Sequence, residues 1–273
     1  MKRIWQLRAY GDFTITLQSL LYSSNPTDYQ IVASQHHLPL FKALSAILPQ
    51  LSGLPIQFAN FGINKALLRV FTNRHLLHKD TITEINAVKK FLLNNPIPNE
   101  LNFIDQGHRK WLLQWGTKHK FDTIVKSEWI YADYHAFFKT EAPVIMHVER
   151  KGGSDVGGVD AANKNILILP SARIPKRNIP AQLVNELVTN HTKQGDQVSI
   201  HYFNQSPNGE NTYSSFDELI QLIQAADFVY GADSLPVHLS YLLQKPHYIL
   251  YPKGGSKQFF TPYTLTNHQY KTF

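Results

Sequence analysis

Three short stretches hold residue types that could do polar chemistry, and each follows an apolar run and precedes a segment of helical period. The first, "RAYGDFT", places Arg8, Gly11 and Asp12 after the run Ile4 to Leu7. A carboxylate there has two uses. It can cap the helix by accepting a backbone N–H, or face a ligand as a general base that takes a proton from a hydroxyl. The second, "LPSARIPKRNIP", carries Ser171, Arg173, Lys176 and Arg177. Three cations beside a helix N-terminus suit a phosphate or diphosphate; the plainer reading is a solvated basic loop. The third, "YGADSLPVHLSYLLQKPHYILYP", sets Asp233, Ser234, Leu235 and His238 between two apolar strands. Ser234 can cap the helix, and Pro236 loses nothing in a first turn. The free N–H groups and the helix dipole favour an anion. Asp233 would repel a bare phosphate but can accept hydrogen bonds from sugar hydroxyls or backbone N–H groups. His238, one turn in, either donates to a phosphate oxygen or sits as a satisfied core histidine.

Other chemistries find less support. There is no cysteine, which removes thiol nucleophiles, disulfides and Cys-ligated zinc and fits a reducing compartment. No D-x-D pair, G-x-S-x-G elbow, H-E-x-x-H helix or glycine-rich phosphate fingerprint occurs. His36 and His37 are adjacent, a spacing that suits opposite faces of a strand, and His75 and His78 have no carboxylate set to complete a metal site. A net charge of +7 favours an anionic partner. The cations are not clustered into an arm, so nucleic acid is not expected. "RHLLHK" and "RKW" mix cations with apolar residues, as solvated helix faces do and as a surface turned toward an acceptor or an anionic membrane would. No run is long and apolar enough to span a bilayer, and the N-terminus lacks the apolar core of a signal peptide. A cytoplasmic protein, with peripheral contact at the inner membrane face, is expected.

The elements that must hold these loops alternate strand and helix. Ile4 to Leu7, "YQIVAS", "PIQFANF", "NFIDQ", "FDTIVKS" and "PVIMHV" read as strands, with helical segments between them. A second set follows in "ILILP", "QVSIHYF", "FVYGA" and "HYILYP", with helices at Ile179 to Leu187, Phe216 to Ala226 and around His238. The glycine-rich "RKGGSDVGGVDAANKN" separates the sets. The expected class is α/β, with an N-terminal domain over 1–150, a linker over 151–165, a C-terminal domain over 166–252 and a tail over 253–273 that packs back on the N-terminal domain. Ligands of such sheets bind beyond the carboxyl ends of the strands, and all three loops lie there. Two such halves imply a cleft between them.

Taken in order, these segments resemble the bacterial glycosyltransferases typified by the ADP-heptose:lipopolysaccharide heptosyltransferases. "IWQLRAYGDFTITLQSLL", "KFDTIVKSEW", "ILILPSARIPKRNIPAQLVNEL", "SFDELIQLIQAADFVYGADSLPVHLSYLLQKPHYILYPKG" and "FTPY" carry the resemblance. It implies a GT-B fold, two Rossmann-like domains facing across a cleft, and inverting, metal-independent transfer with no cofactor. The donor would be a nucleotide-diphosphate sugar, the acceptor a glycolipid or oligosaccharide. By position, Asp12 would be the base, with Arg8 and Gly11 beside it on the acceptor side. Lys176, with Arg177, would stabilise the leaving diphosphate. Ser171, Arg173, Asp233, Ser234, Leu235 and His238 would line the donor site, and Glu210 would reach toward the ribose. Leu235 stands where the family has glycine, and "KGGSKQ" replaces its Gly-Pro-Thr. A non-catalytic nucleotide-sugar-binding protein of the same fold, or a GT-B epimerase, is the alternative.

Overall fold

The computed structural model describes residues 1–7, 10–61, 79–105, 107–127, 130–140, 163–172, 175–204, 211–253 and 270–273. The chain divides into two compact units, Met1–Ala142 and Pro143–Phe273. The division comes a few residues before the boundary at 150 predicted from the sequence. The predicted linker, "PVIMHV", "NKALLRVF", "FTPY" and His75 and His78 lie outside the described residues, apart from the linker's last three positions.

In the first unit, β1 (Lys2–Gln6), β2 (Tyr29–Ser34), β3 (Ile56–Ala59), β4 (Leu101–Ile104) and β5 (Phe121–Thr123) form one parallel sheet in the order 3-2-1-4-5. Between and after them come α1 (Tyr10–Leu21), α2 (Leu38–Ile47), α3 (Lys79–Asn94), α4 (Gly107–Thr117) and α5 (Ile130–Phe138). The central strand β1 is buried from Arg3 to Gln6, as helices covering a parallel sheet on both sides require, and its apolar residues are Ile4 and Trp5. Trp5, Val32, Val88, Leu92, Ile104, Leu113 and Phe121 make one core cluster. Arg3 is fully buried at the amino end of the sheet. Its Nη1 is 2.6 Å from Glu100 Oε2, and it donates to Gln30 Oε1 (2.9 Å) and to the Asn95 carbonyl (2.7 Å). The charge is therefore compensated on several sides, as a buried guanidinium requires. His36 and His37 do not straddle a strand: they sit in a 3-10 turn, Gln35–His37, with ring centroids 3.9 Å apart. His37 stacks on Phe13 at 4.5 Å.

The second unit has β6 (Asn165–Leu169), α6 (Ala181–Lys193), β7 (Gln197–Ile200), β8 (Tyr202–Phe203), β9 (Thr212–Tyr213), α7 (Phe216–Ala225), β10 (Phe228–Ala232), α8 (Leu235–Leu242), β11 (His247–Tyr251) and β12 (Tyr270–Thr272). Its sheet is also parallel, in the order 12-11-10-6-7. The run "QVSIHYF" breaks into β7 and β8, and β8 pairs with β9 away from the main sheet. Pro180 is the N-cap of α6. Helix α7 starts in a capping box: Ser215 Oγ accepts from the Glu218 N–H, and the Glu218 carboxylate reaches back to the Ser215 N–H. Of the predicted tail, residues 254–269 lie outside the described residues. Its end forms β12, which pairs with β11 from Ile249↔Tyr270 to Tyr251↔Thr272 and so belongs to the second sheet.

Gly231 shows how closely α8 approaches the strand that precedes it. A Cβ there would lie 2.6 Å from Val237 Cγ1. Gly231→Ala is expected to cost about 1–3 kcal/mol through overpacking, seen as a lower urea midpoint with unchanged slope.

Candidate functional site

In an open parallel sheet the strand order reverses at one point, and the loops leaving the two strands there diverge to opened sides, leaving a crevice at their carboxyl ends. In the first sheet this point lies between β1 and β4, in the second between β6 and β10. Polar side chains with few apolar alternatives gather at both.

At the β1/β4 point, Asp12 is the third residue of α1, not its N-cap, and is 8% exposed. Gly11 precedes it in the same turn; Arg8 lies outside the described residues. On the neighbouring strand, Asp105 directly follows β4 and is buried as well. Behind them, Gln6 Nε2 donates to Thr16 Oγ1 (2.6 Å), which donates to the Asp12 carbonyl (3.1 Å). Tyr134 of α5 completes the cluster. Burial first, then the charges of Asp12 and Asp105, push its hydroxyl well above the usual phenol range. The phenol stays protonated. Such a crevice can bind hydroxyl groups and accept a proton from one of them.

At the β6/β10 point, the loop after β6 folds back on itself. Ile179 N–H bonds the Pro170 carbonyl (2.9 Å), and Asn178 Oδ1 accepts from the Ala172 N–H (2.8 Å). This closure carries the 3-10 turn Pro175–Arg177. Adjacent residues of such a turn point apart, so Lys176 is exposed while Arg177 turns inward. Arg177 Nη1 meets Asp233 Oδ2 at 3.2 Å, with Asp233 1% exposed. Ser234 does not cap α8 with its side chain. Its hydroxyl donates instead to the Ser171 carbonyl (3.2 Å), tying the two loops together. The first N–H groups of α8 are thus left to other acceptors. Leu235 is the first residue of that helix and half-buried. Arg173 lies outside the described residues, as does Glu210.

Asp233 and Tyr251 are electrically linked to Arg177. Burial raises the Asp233 carboxyl to about 6 although Arg177 pulls it down. Burial, then Asp233, raises Tyr251 to about 12, again opposed by Arg177. His238 is buried in α8. Loss of solvent, then His247 and Arg177, lower it to about 3, so its imidazole is neutral and its placement is that of a core residue.

Opposed pH dependences follow. Between about 3.8 and about 6 the native state keeps a proton on Asp233 that the unfolded chain has released. The stabilisation from this group is full below the lower value and lost as pH rises through the upper one. His238, at about 3, and His135, which burial lowers to about 4, act in the other sense: acid favours the unfolded chain, where they charge freely. Asp233→Asn removes only the first contribution. The stability of this variant relative to wild type is expected to grow by roughly 2 kcal/mol from pH 4 to pH 7, measured by urea titration at both ends of that range.

Asp105, Tyr134 and Tyr251 were not among the residues singled out from the sequence. Asp105 had a signal, since "NFIDQ" ends an apolar strand in a carboxylate just as "FVYGAD" does. A groove of about 330 Å³ lined by His201, Tyr213, Glu218 and Leu222 lies beside the end of β7, one strand over from the Arg177 loop. Among the described residues no group of three or more His, Asp or Glu side chains could hold a metal ion. No helix there is long and apolar enough to cross a membrane.

Two Rossmann-like parallel sheets with polar crevices at their switch points define a two-unit α/β fold. Among solved structures, the chain is similar to E. coli heptosyltransferase WaaC with ADP: 12% identity, TM-score 0.56, covering all of this chain and 92% of that one. It is similar to the E. coli ADP-heptose lipopolysaccharide heptosyltransferase II (13%, TM-score 0.55, all of this chain and 89% of the other). A glycosyl transferase family 9 protein from Veillonella parvula gives 12% and 0.60 over all of this chain and 86% of its own. No protein-family model and no curated protein sequence matches. At these identities the likeness establishes the fold, the two-unit GT-B fold of these glycosyltransferases.

Proposed function

We propose that the protein is an inverting glycosyltransferase that moves a sugar from a nucleotide-diphosphate donor to a hydroxyl of a lipopolysaccharide or other surface-glycan acceptor. The observation that carries this reading is the Arg177–Asp233 ion pair at the β6/β10 switch point. A cation held rigidly beside the start of α8 suits a group that gains negative charge as it leaves. The second unit would serve the donor and the first the acceptor. As the acceptor oxygen forms its bond to the anomeric carbon, Asp12 takes the hydroxyl proton. The bond from that carbon to the diphosphate breaks, and its electron pair leaves with the diphosphate. Arg177, Lys176 and the N–H groups of α8 stabilise that charge, with Ser171 and Ser234 holding the loops that present them. One displacement from the opposite face inverts the anomeric centre. The nucleoside would extend toward the groove at His201 and Tyr213. The donor sugar is proposed to be heptose-like, and the reaction to run at the cytoplasmic face of the membrane.

Leu235 favours a second reading, a nucleotide-sugar-binding protein without turnover, because a half-buried side chain occupies the first position of the helix that faces the diphosphate. A thermal-shift panel of ADP, UDP, GDP and CDP separates the possibilities. A true ligand at about a hundred times its Kd adds about 2.7 kcal/mol of stability. ADP is expected to give the largest rise. Transfer from the matching nucleotide-sugar to extracted glycolipid is then expected. Binding without transfer across acceptors selects the second reading, and no stabilisation by any nucleotide rejects both.

A further inference from the structure

Helix α4 exposes what a helix on a soluble unit normally buries. Leu112, Leu113 and Thr117 pack inward. Trp111 and Trp115, one turn apart and so on one face, are 46% and 64% exposed. Lys118 continues that face at the helix end and places its Nζ 5.9 Å from the Trp115 ring centroid. On α3, which packs on α4 where Gly116 meets Ile85, Ile82 is also exposed. From Gly107 to Phe121 the sequence has no carboxylate but has Arg109, Lys110, Lys118 and Lys120. The next acid, Asp122, lies between Lys110 (3.3 Å) and Lys126 (3.9 Å).

We infer that this face of α4 docks on an anionic lipid bilayer. Tryptophan has an apolar body and a polar N–H, which matches the boundary between headgroups and acyl chains. Lysines around it meet anionic headgroups, and a run without acid offers nothing to repel them. A protein partner fits less well, because the buried centres of protein interfaces are depleted in lysine. Helix α4 begins two residues after Asp105, at the same carboxyl edge of the sheet as the acceptor crevice. Trp111 lies about 6 Å along the helix from its start. Docking would thus bring that crevice to headgroup level, where a lipid-anchored acceptor presents its sugars. This last consequence rests on the glycosyltransferase reading; the docking itself does not.

The test is vesicle flotation of the full chain, without donor or acceptor, on phosphatidylcholine vesicles with and without phosphatidylglycerol. Flotation is expected only with phosphatidylglycerol and is expected to weaken with salt. The double variant Trp111→Ser/Trp115→Ser is expected to lose about tenfold or more in partitioning, with an unchanged circular dichroism spectrum. Lys118→Glu/Lys120→Glu should lose at least about fivefold per cation. No flotation on anionic vesicles, or flotation undiminished in the tryptophan variant, overturns the proposal. Either result leaves sugar transfer to be judged by its own assay, and loss of transfer with flotation intact would reject the enzymatic reading alone.

Discussion

Replacing Asp12 with alanine is expected to slow sugar transfer by about 10²–10⁴-fold, the usual contribution of a positioned general base. The fold should survive. Asp12 sits in the first turn of α1, where a carboxylate gains roughly 0.3–1 kcal/mol from the helix dipole, and its removal costs stability on that scale. Asp12→Asn is the sharper variant, because it keeps shape and hydrogen bonding but cannot accept the proton. If Asp12 acts as base, both variants lose turnover alike and bind the donor nucleotide as wild type does. A structural role predicts instead that Asn restores most of the rate. Near-normal turnover in Asp12→Asn would sink the assignment. Asp105→Asn is the comparison within the same crevice: it perturbs the electrostatics around Tyr134 by the same charge. A smaller loss there shows that position, not charge alone, selects Asp12.

How much of this could be read from the sequence depends on which interaction decides each feature. Strands β2 and β10 match their predicted spans because each is a short, mostly apolar and mostly buried segment bounded by polar neighbours. Helices α3 and α5 have weak signals in the sequence for a physical reason. In α3, Ile85, Val88 and Leu92 form a narrow buried stripe, while Ile82 and Leu93 are apolar but exposed and blur the helical period. In α5, aromatic residues crowd a short segment that reads equally as strand. The candidate loops were visible because glycine, carboxylate and cation stand out beside apolar strands. Their meaning was not, because it depends on strand order. Nothing in the run "NFID" says that β4 lies next to β1, yet that adjacency makes Asp105 a neighbour of the Asp12 loop. The same holds for Ser234. Its type and position predict a cap, but the proximity of the β6 and β10 loops offers the Ser171 carbonyl as an alternative acceptor, and the hydroxyl takes it.

Arg177→Gln is expected to reduce transfer by about 10²–10³-fold, the effect of losing one preorganised donor to a developing oxyanion. The stability effect is smaller than breaking a buried pair usually brings, about 3–5 kcal/mol. Arg177 is 27% exposed, and Asp233 has an escape, because its carboxyl already titrates near 6 with the guanidinium in place. Without Arg177 that value rises, so near neutral pH the carboxyl takes a proton and no bare charge stays buried. The variant should therefore be more stable relative to wild type in mild acid than at pH 8. Adding Asp233→Asn should remove this pH dependence and restore stability without restoring transfer. Arg177→Lys keeps the charge but not the planar fork, and should fall between wild type and Arg177→Gln in rate. These outcomes divide the work of the ion pair. If Asp233 only aims Arg177, Asp233→Asn costs less transfer than Arg177→Gln, and the two losses do not add. If Asp233 instead contacts the donor sugar directly, its own variant raises KM for the nucleotide-sugar even in the Arg177→Gln background. Kinetics on the four variants, with donor concentration varied at fixed acceptor, decide between these roles.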